Sequence, residues 1–156
     1  LFVITGDHTF QYNDHPPQYS NPAGRFAVPI IVYRSDGSFS GTDDHIAQHL
    51  DLLPTILDLI GYDGAVNTFG RSLFGNDRTP RAAIQLGGQY RLIQDDRLLL
   101  FDGAKAIGLY DFHSDTLCTN DLRAVEPDVT ARLTRDLKAM IQRHGEVLLK
   151  NSMVAR

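Results

Sequence analysis

Two adjacent side chains, Asp7 and His8, are the first candidates for chemistry in this chain of 156 residues. They follow an apolar run, Leu1 to Thr5, and a single glycine, Gly6. A carboxylate oxygen and an imidazole nitrogen together suit Zn²⁺ or Mn²⁺. Neighbours in a strand point to opposite faces, whereas neighbours in a turn can face one pocket. The pattern indicates part of a metal site at a strand end. The alternative is an aspartate that caps a turn beside a surface histidine.

The other histidines give weaker signals. His15, seven residues after His8, could contact a phosphate or sulfate, donate a proton or lie near a metal, and the alternative is an exposed loop histidine. His45 and His49 have the i, i+4 spacing that places two side chains on one helical face. The zinc-protease pattern also requires a Glu after the first His, and Ile46 occupies that position. We therefore expect no metal site at this pair.

Composition excludes several classes of protein. A hydrophobic content of 42% and a charged content of 22% are ordinary for a globular domain. The net charge of -4 argues against a general nucleic-acid binder, which needs a basic surface. No apolar run approaches the ~20 residues of a membrane span. The single cysteine, Cys118, excludes an internal disulfide and leaves the cellular compartment open.

Residues 1–75 read as a strand–loop–strand–helix unit. Leu1 to Thr5 and Val28 to Tyr33 are apolar runs that predict buried strands. The polar segment between them is about twenty residues long, and loops of that length are usually functional. A helix is predicted from Asp51 or Leu52, with Pro54 in its first turn and Gly61 as its stop. Asp51 is expected on the helix surface or at its cap.

Residues 76–156 read as a small antiparallel sheet closed by a helix. Short strands alternate with the tight turns Gly87-Gly88, Asp95-Asp96 and Asp102-Gly103. The predicted strands are Ala82–Leu86, Tyr90–Gln94, Arg97–Phe101 and Ile107–Phe112. A long helix is predicted to begin at Pro127. Its predicted apolar stripe is Val129, Leu133, Leu137, Met140, Ile141 and Leu148.

Two features predict that the chain is the last part of a larger protein. It begins inside a strand, without an initiator Met or a polar lead-in. Its first part supplies two strands, too few for a stable open sheet. If upstream strands are missing, the edges of the first two strands are exposed, and we expect self-association through them.

Four motifs in a fixed order resemble those of the sulfatases, members of the alkaline phosphatase superfamily. They are Phe2–Thr9, Ala27–Tyr33, His49–Gly61 and Phe69–Phe74, and a weaker likeness extends to Leu122. Classical sulfatases usually have Asp-His-Gly after the strand, whereas this chain has Asp-His-Thr. In this respect the chain is more similar to the lipoteichoic acid synthase-like branch, which includes phosphoglycerol transferases of bacteria.

The resemblance implies a fold and a site. It implies an α/β fold in which residues 1–75 complete an alkaline-phosphatase-like catalytic sheet. It makes Asp7 and His8 ligands of one divalent metal, with Mn²⁺ expected and Zn²⁺ or Ca²⁺ as alternatives. His15 lies where relatives often have a loop histidine near the leaving group of the substrate, although the residues around it differ from theirs. The nucleophile, a Thr, Ser or formylglycine, and a further acidic ligand belong upstream of this sequence.

The resemblance also implies a function. The parent protein is expected to be a metal-dependent hydrolase or phosphotransferase for phosphate or sulfate esters, such as a phospholipid head group or a glycan ester. We expect it on the outer face of the cytoplasmic membrane, anchored by upstream segments, and we expect the isolated chain to be inactive. The alternative is a non-catalytic interaction module with the same fold, because no nucleophile here has an adjacent base in the sequence.

Overall fold

The computed structural model describes residues 2–7, 16, 19–76 and 79–150, which form a mixed α/β fold as predicted. A two-stranded and a four-stranded antiparallel sheet are accompanied by a short helix and a long C-terminal helix. The elements are β1 Phe2–Thr5, β2 Ile30–Tyr33, α1 Leu52–Leu59, β3 Arg81–Leu86, β4 Gln89–Gln94, β5 Arg97–Phe101, β6 Ala106–Asp111 and α2 Pro127–Leu149. Neither described helix has the length and apolar character that crossing a bilayer requires.

The first sheet consists of β1 and β2, paired so that Ile4 lies opposite Ile31 and Thr5 opposite Ile30. The prediction that both strands are buried is wrong. Ile4 is 59% exposed and Ile31 is 53% exposed. The physical reason is that one face of this two-stranded sheet has no second layer packed on it among the described residues, so apolar side chains on that face meet solvent.

The helix α1 begins and ends where its sequence predicts. Pro54 lies in the first turn, where its missing N–H costs little, and Gly61 follows the helix with a φ of +73°. A 3₁₀ turn, His49–Asp51, precedes the helix. Thr55 is buried and links the helix to the following loop, since its hydroxyl donates to the Asp51 carbonyl at 2.6 Å and accepts the Leu73 N–H at 2.9 Å.

The predicted meander is confirmed: β3, β4, β5 and β6 lie side by side in sequence order. Gly87 and Gly88 have φ of 59° and 77°, and Asp95 and Asp96 have φ of 51° and 61°. Positive φ at both central residues is the turn geometry that matches the twist of paired strands. These turns fix the register of the first three strands.

The helix α2 covers one face of the meander. Its buried side chains pack with those of the strands into one core cluster, formed by Leu92, Leu99, Phe101, Leu109, Leu133 and Leu137. The predicted stripe is wrong at its end, because Val147 is 3% exposed whereas Leu148 is 56% exposed. Position 147 lies eighteen residues after Val129, which is five turns at about 3.6 residues per turn, so it returns to the core side.

Several contacts join the first part of the chain to the meander. The Ala83 N–H donates to Gln48 Oε1 at 3.0 Å, and the Asn21 amide donates to the Thr116 carbonyl at 2.5 Å. The Arg91 guanidinium lies 5.6 Å from the centre of the Phe26 ring. Such contacts cross the predicted boundary between residues 75 and 76, and that division stays a prediction.

Candidate functional site

Asp7 lies two residues after the end of β1, where its exposed side chain lines part of a cleft of about 810 Å³. The cleft lies between the segment before β2, the residues before α1, and β3. Apolar side chains make up most of its lining, and the polar members include Asp7, Tyr19 and His49. The strand end that the sequence predicts as a metal site therefore opens on this cleft.

Gly6 allows β1 to end in this position. A Cβ at residue 6 would lie 3.2 Å from a methyl carbon of Val28, which is tighter than ordinary van der Waals contact. The chain therefore passes close to Val28, and Asp7 is presented immediately after this close approach. This close approach explains why a glycine stands between the apolar strand and Asp7.

His49 contacts the same strand end. Its Nε2 lies 2.6 Å from the Gly6 carbonyl oxygen and 3.3 Å from the Thr5 hydroxyl oxygen. A carbonyl oxygen only accepts, so Nε2 carries the proton and donates it to Gly6. Sequence spacing did not indicate this contact, because the two residues lie 43 positions apart.

The i, i+4 pairing of His45 with His49 on one helical face is wrong. His45 lies in the loop before the 3₁₀ turn, and its Nδ1 lies 2.5 Å from the Asp43 carboxylate. The helix begins only at Leu52, so the two histidines do not share a helical face. That they form no metal site stays a prediction.

The turn that carries His49 is held on several sides. Asp51 is 7% exposed, and its carboxylate accepts the Gln48 N–H at 3.0 Å and the Arg71 N–H at 2.9 Å. Of the two predicted alternatives, a surface residue or a cap, the structure shows a cap, but the side chain caps the 3₁₀ turn and makes no capping hydrogen bond to α1. Gly70 packs on the same turn so closely that a Cβ there would lie 1.8 Å from the Leu50 carbonyl oxygen. The position of His49 therefore depends on contacts well outside its own segment.

His8 and His15 lie outside the described residues. Within the described part of the chain, His, Cys, Asp and Glu side chains do not gather in groups of three or more that could hold a metal ion. The donors of Asp7 and His8 suit Mn²⁺ or Zn²⁺ chemically, but two ligands do not fill a four-coordinate shell. These residues fit one part of a metal site.

The Thr5 hydroxyl and His49 do not form a nucleophile–base pair. Thr5 Oγ1 lies beside His49 Nε2, but that nitrogen already donates its proton to Gly6. A nitrogen that holds a proton cannot accept one from Thr5. Burial, followed by the charge of Asp115, raises the pKa of the Cys118 thiol, which makes this residue a poor nucleophile.

Positive charge lies next to the cleft wall. Arg91 is 8% exposed, and its Nε and Nη1 have no hydrogen-bond partner among the described residues. Burial, followed by the nearby charge of Arg25, lowers the pKa of Arg91. The Phe26 ring that the guanidinium faces also lines the cleft, and this cation–π contact offsets part of the cost of burying the charge.

The first part of the chain is similar to a known protein family. Residues 1–62 match the family model described as Sulfatase. The matched region contains β1, Asp7, β2, His49 and α1. No curated protein matches the chain. The match supports the relationship of this region to the sulfatase and alkaline phosphatase superfamily, and it ends before the meander.

Proposed function

We propose that this chain supplies the metal-binding strand end of a metal-dependent hydrolase or phosphotransferase for phosphate or sulfate esters. The observation that carries the proposal is the position of Asp7. Its side chain follows a strand inside the sulfatase-like region and lines part of a cleft of about 810 Å³. Strand ends that open on a cleft are common ligand sites in α/β folds.

The proposed ligands in this chain are Asp7 and His8, for a single divalent ion, with Mn²⁺ as the first choice and Zn²⁺ or Ca²⁺ as alternatives. When bound, such an ion lowers the pKa of a nucleophile and neutralises the ester oxygens in the transition state. Asp7 contributes a negative oxygen donor, and His8 contributes a neutral nitrogen donor. We assign His15 to the substrate near its leaving group.

The finer assignment is to the lipoteichoic acid synthase-like branch, with phosphoglycerol transfer as the reaction. Thr9 after Asp-His supports this branch over the classical sulfatases. The apolar lining of the cleft supports a substrate whose charged ester adjoins an apolar group, as in a phospholipid. The positive charge of Arg25 and Arg91 beside the Phe26 wall favours an anionic substrate.

The proposal places the nucleophile and the remaining acidic ligand in a longer parent protein, upstream of residue 1. That parent is assigned to the outer face of the cytoplasmic membrane, with upstream anchoring segments. The isolated chain would then be inactive towards esters, because it contributes two ligands and no activated hydroxyl.

The test is the turnover of the intact parent on a chromogenic phosphodiester and a chromogenic sulfate ester, with Mn²⁺ present. Asp7→Ala should lower kcat/KM by more than about 100-fold, beyond the 10–100-fold typical of residues that only support a ligand. Asp63→Ala is the matched control, since Asp63 is exposed and lies outside the cleft, and it should leave turnover unchanged. Unchanged turnover in Asp7→Ala would contradict the proposal and favour a non-catalytic interaction module.

A further inference from the structure

We infer that His49 is a positioning residue for the metal-binding strand end, which it holds by donating its Nε2 proton to the Gly6 carbonyl. This inference rests on the proposed function of Asp7. The geometry that carries it is the 2.6 Å separation between His49 Nε2 and the Gly6 oxygen. The distance is short for an N–H···O bond, and the donor comes from a separate element 43 residues away.

The bond acts on Asp7 through the backbone. The Gly6 carbonyl and the Asp7 N–H belong to one planar peptide unit. A hydrogen bond that holds the carbonyl therefore also holds the orientation of the peptide plane that precedes the Asp7 Cα. Gly6 has no side chain, and its backbone is the most permissive of any residue. A glycine before a metal ligand leaves the direction of that ligand poorly defined unless another group holds the peptide. His49 supplies that group.

The donor itself is anchored. Asp51 binds the N–H groups of Gln48 and Arg71, and Gln48 accepts the N–H of Ala83 in β3. The histidine is thus carried by a turn that is tied to the loop after α1 and to the meander. Metal ligands must be held within about 0.5 Å of their productive geometry, and a donor on an anchored turn provides this precision.

The same bond argues against His49 as a metal ligand through Nε2. That nitrogen donates to a carbonyl, and a donating nitrogen has no lone pair for a metal. The position of the His49 ring therefore serves Asp7 rather than the ion directly through this atom. A side chain that keeps a donor at the Nε2 position should preserve the function, and one that removes it should not.

Two variants separate these roles. In His49→Gln the amide N–H₂ replaces the Nε2 donor, and in His49→Leu a side chain of similar size offers none. We would titrate the 156-residue chain with Mn²⁺ and follow paramagnetic broadening of backbone amide NMR signals near Asp7, a readout suited to weak binding. His49→Leu should weaken Mn²⁺ binding about tenfold, and His49→Gln should stay within about threefold of the original chain.

Asp7→Ala distinguishes the failure of this inference from the failure of the proposed function. If Asp7→Ala abolishes the broadening but His49→Leu does not weaken it, the inference is overturned and the proposed metal site stands. If Asp7→Ala leaves the broadening unchanged, the proposed function fails. If His49→Gln weakens binding as much as His49→Leu, the ring itself is required and positioning by the donor is overturned.

A second measurement needs neither metal nor variant. The ¹⁵N signals of the His49 ring report which nitrogen holds the proton in the neutral form. We expect the proton on Nε2, because that nitrogen donates to the Gly6 carbonyl. A proton on Nδ1 instead would overturn the inference, even if His49→Leu failed to fold.

Discussion

The two parts of this molecule are held together by different forces. All the buried apolar side chains of the described residues lie between Ala82 and Val147, in the meander and α2. In the described part before residue 77, the buried side chains are those of Asp51 and Thr55, which are polar and hydrogen-bonded. The second part is stabilised by apolar packing, whereas the first is organised by polar contacts around one turn.

The residues that stabilise the fold and the residues of the candidate site therefore lie mainly in different parts of the chain. The sulfatase-like match and the candidate site lie in the polar, weakly packed part. The meander and α2 carry a core of their own, and β3 of the meander also forms one wall of the cleft, where the Ala83 N–H donates to Gln48. Substitutions in the meander should therefore change folding, and substitutions around residues 48–51 should change the geometry of the strand end.

The largest contrast is expected between matched leucine truncations. Leu99→Ala should lower the free energy of unfolding by about 2–5 kcal/mol, because Leu99 is completely buried in the core cluster. Leu53→Ala should change it by no more than about 0.5 kcal/mol, because Leu53 is 54% exposed on α1. Urea unfolding measures both. Equal losses would show that the first part has a core of similar strength.

Two glycine substitutions should act in opposite directions. Gly70→Ala should destabilise the turn at residues 48–51 by about 1–3 kcal/mol, since its Cβ would collide with the Leu50 carbonyl. Gly145→Ala should stabilise α2 by about 0.5–1 kcal/mol, because nothing lies within 4 Å of the added Cβ. Thermal unfolding and amide hydrogen exchange at Arg71 measure the two effects. Stabilisation by Gly70→Ala would contradict the tight contact in the turn.

The smallest effect concerns association between copies of the chain. Each strand of the first sheet pairs with one neighbour, and Ile4, Ile31 and Tyr33 expose apolar surface on it. We expect weak, concentration-dependent dimers in light scattering, reduced by Ile31→Lys. Leu148→Lys, on the exposed side of α2, is the control and should not reduce them. A monomer at every concentration would contradict this expectation.

Local features of the fold could be predicted from the sequence. The Gly87-Gly88 turn, Pro54 at the start of α1 and Pro127 at the start of α2 act through the chain next to them, so local chemistry decides them. The exposure of Ile4 and Ile31 could not be predicted, because it depends on which layers pack against the sheet. The burial of Val147 in place of Leu148 likewise depends on the path of α2 over the core.

The site shows the same limit. Asp7 at the end of a strand could be predicted, because the apolar run and Gly6 are adjacent to it in the sequence. The contact of His49 with Gly6 could not, because it joins residues 43 positions apart and the local spacing paired His49 with His45 instead. The assignments of His8 and His15 stay predictions.

The metal content of the intact parent, measured after purification and dialysis, tests the central claim most directly. We predict that the unsubstituted parent holds a single divalent ion per chain. The ion should be lost in Asp7→Ala and retained in Asp63→Ala. The account would be contradicted if Asp7→Ala kept the same metal content as the original protein, because the strand end would then not be a metal site.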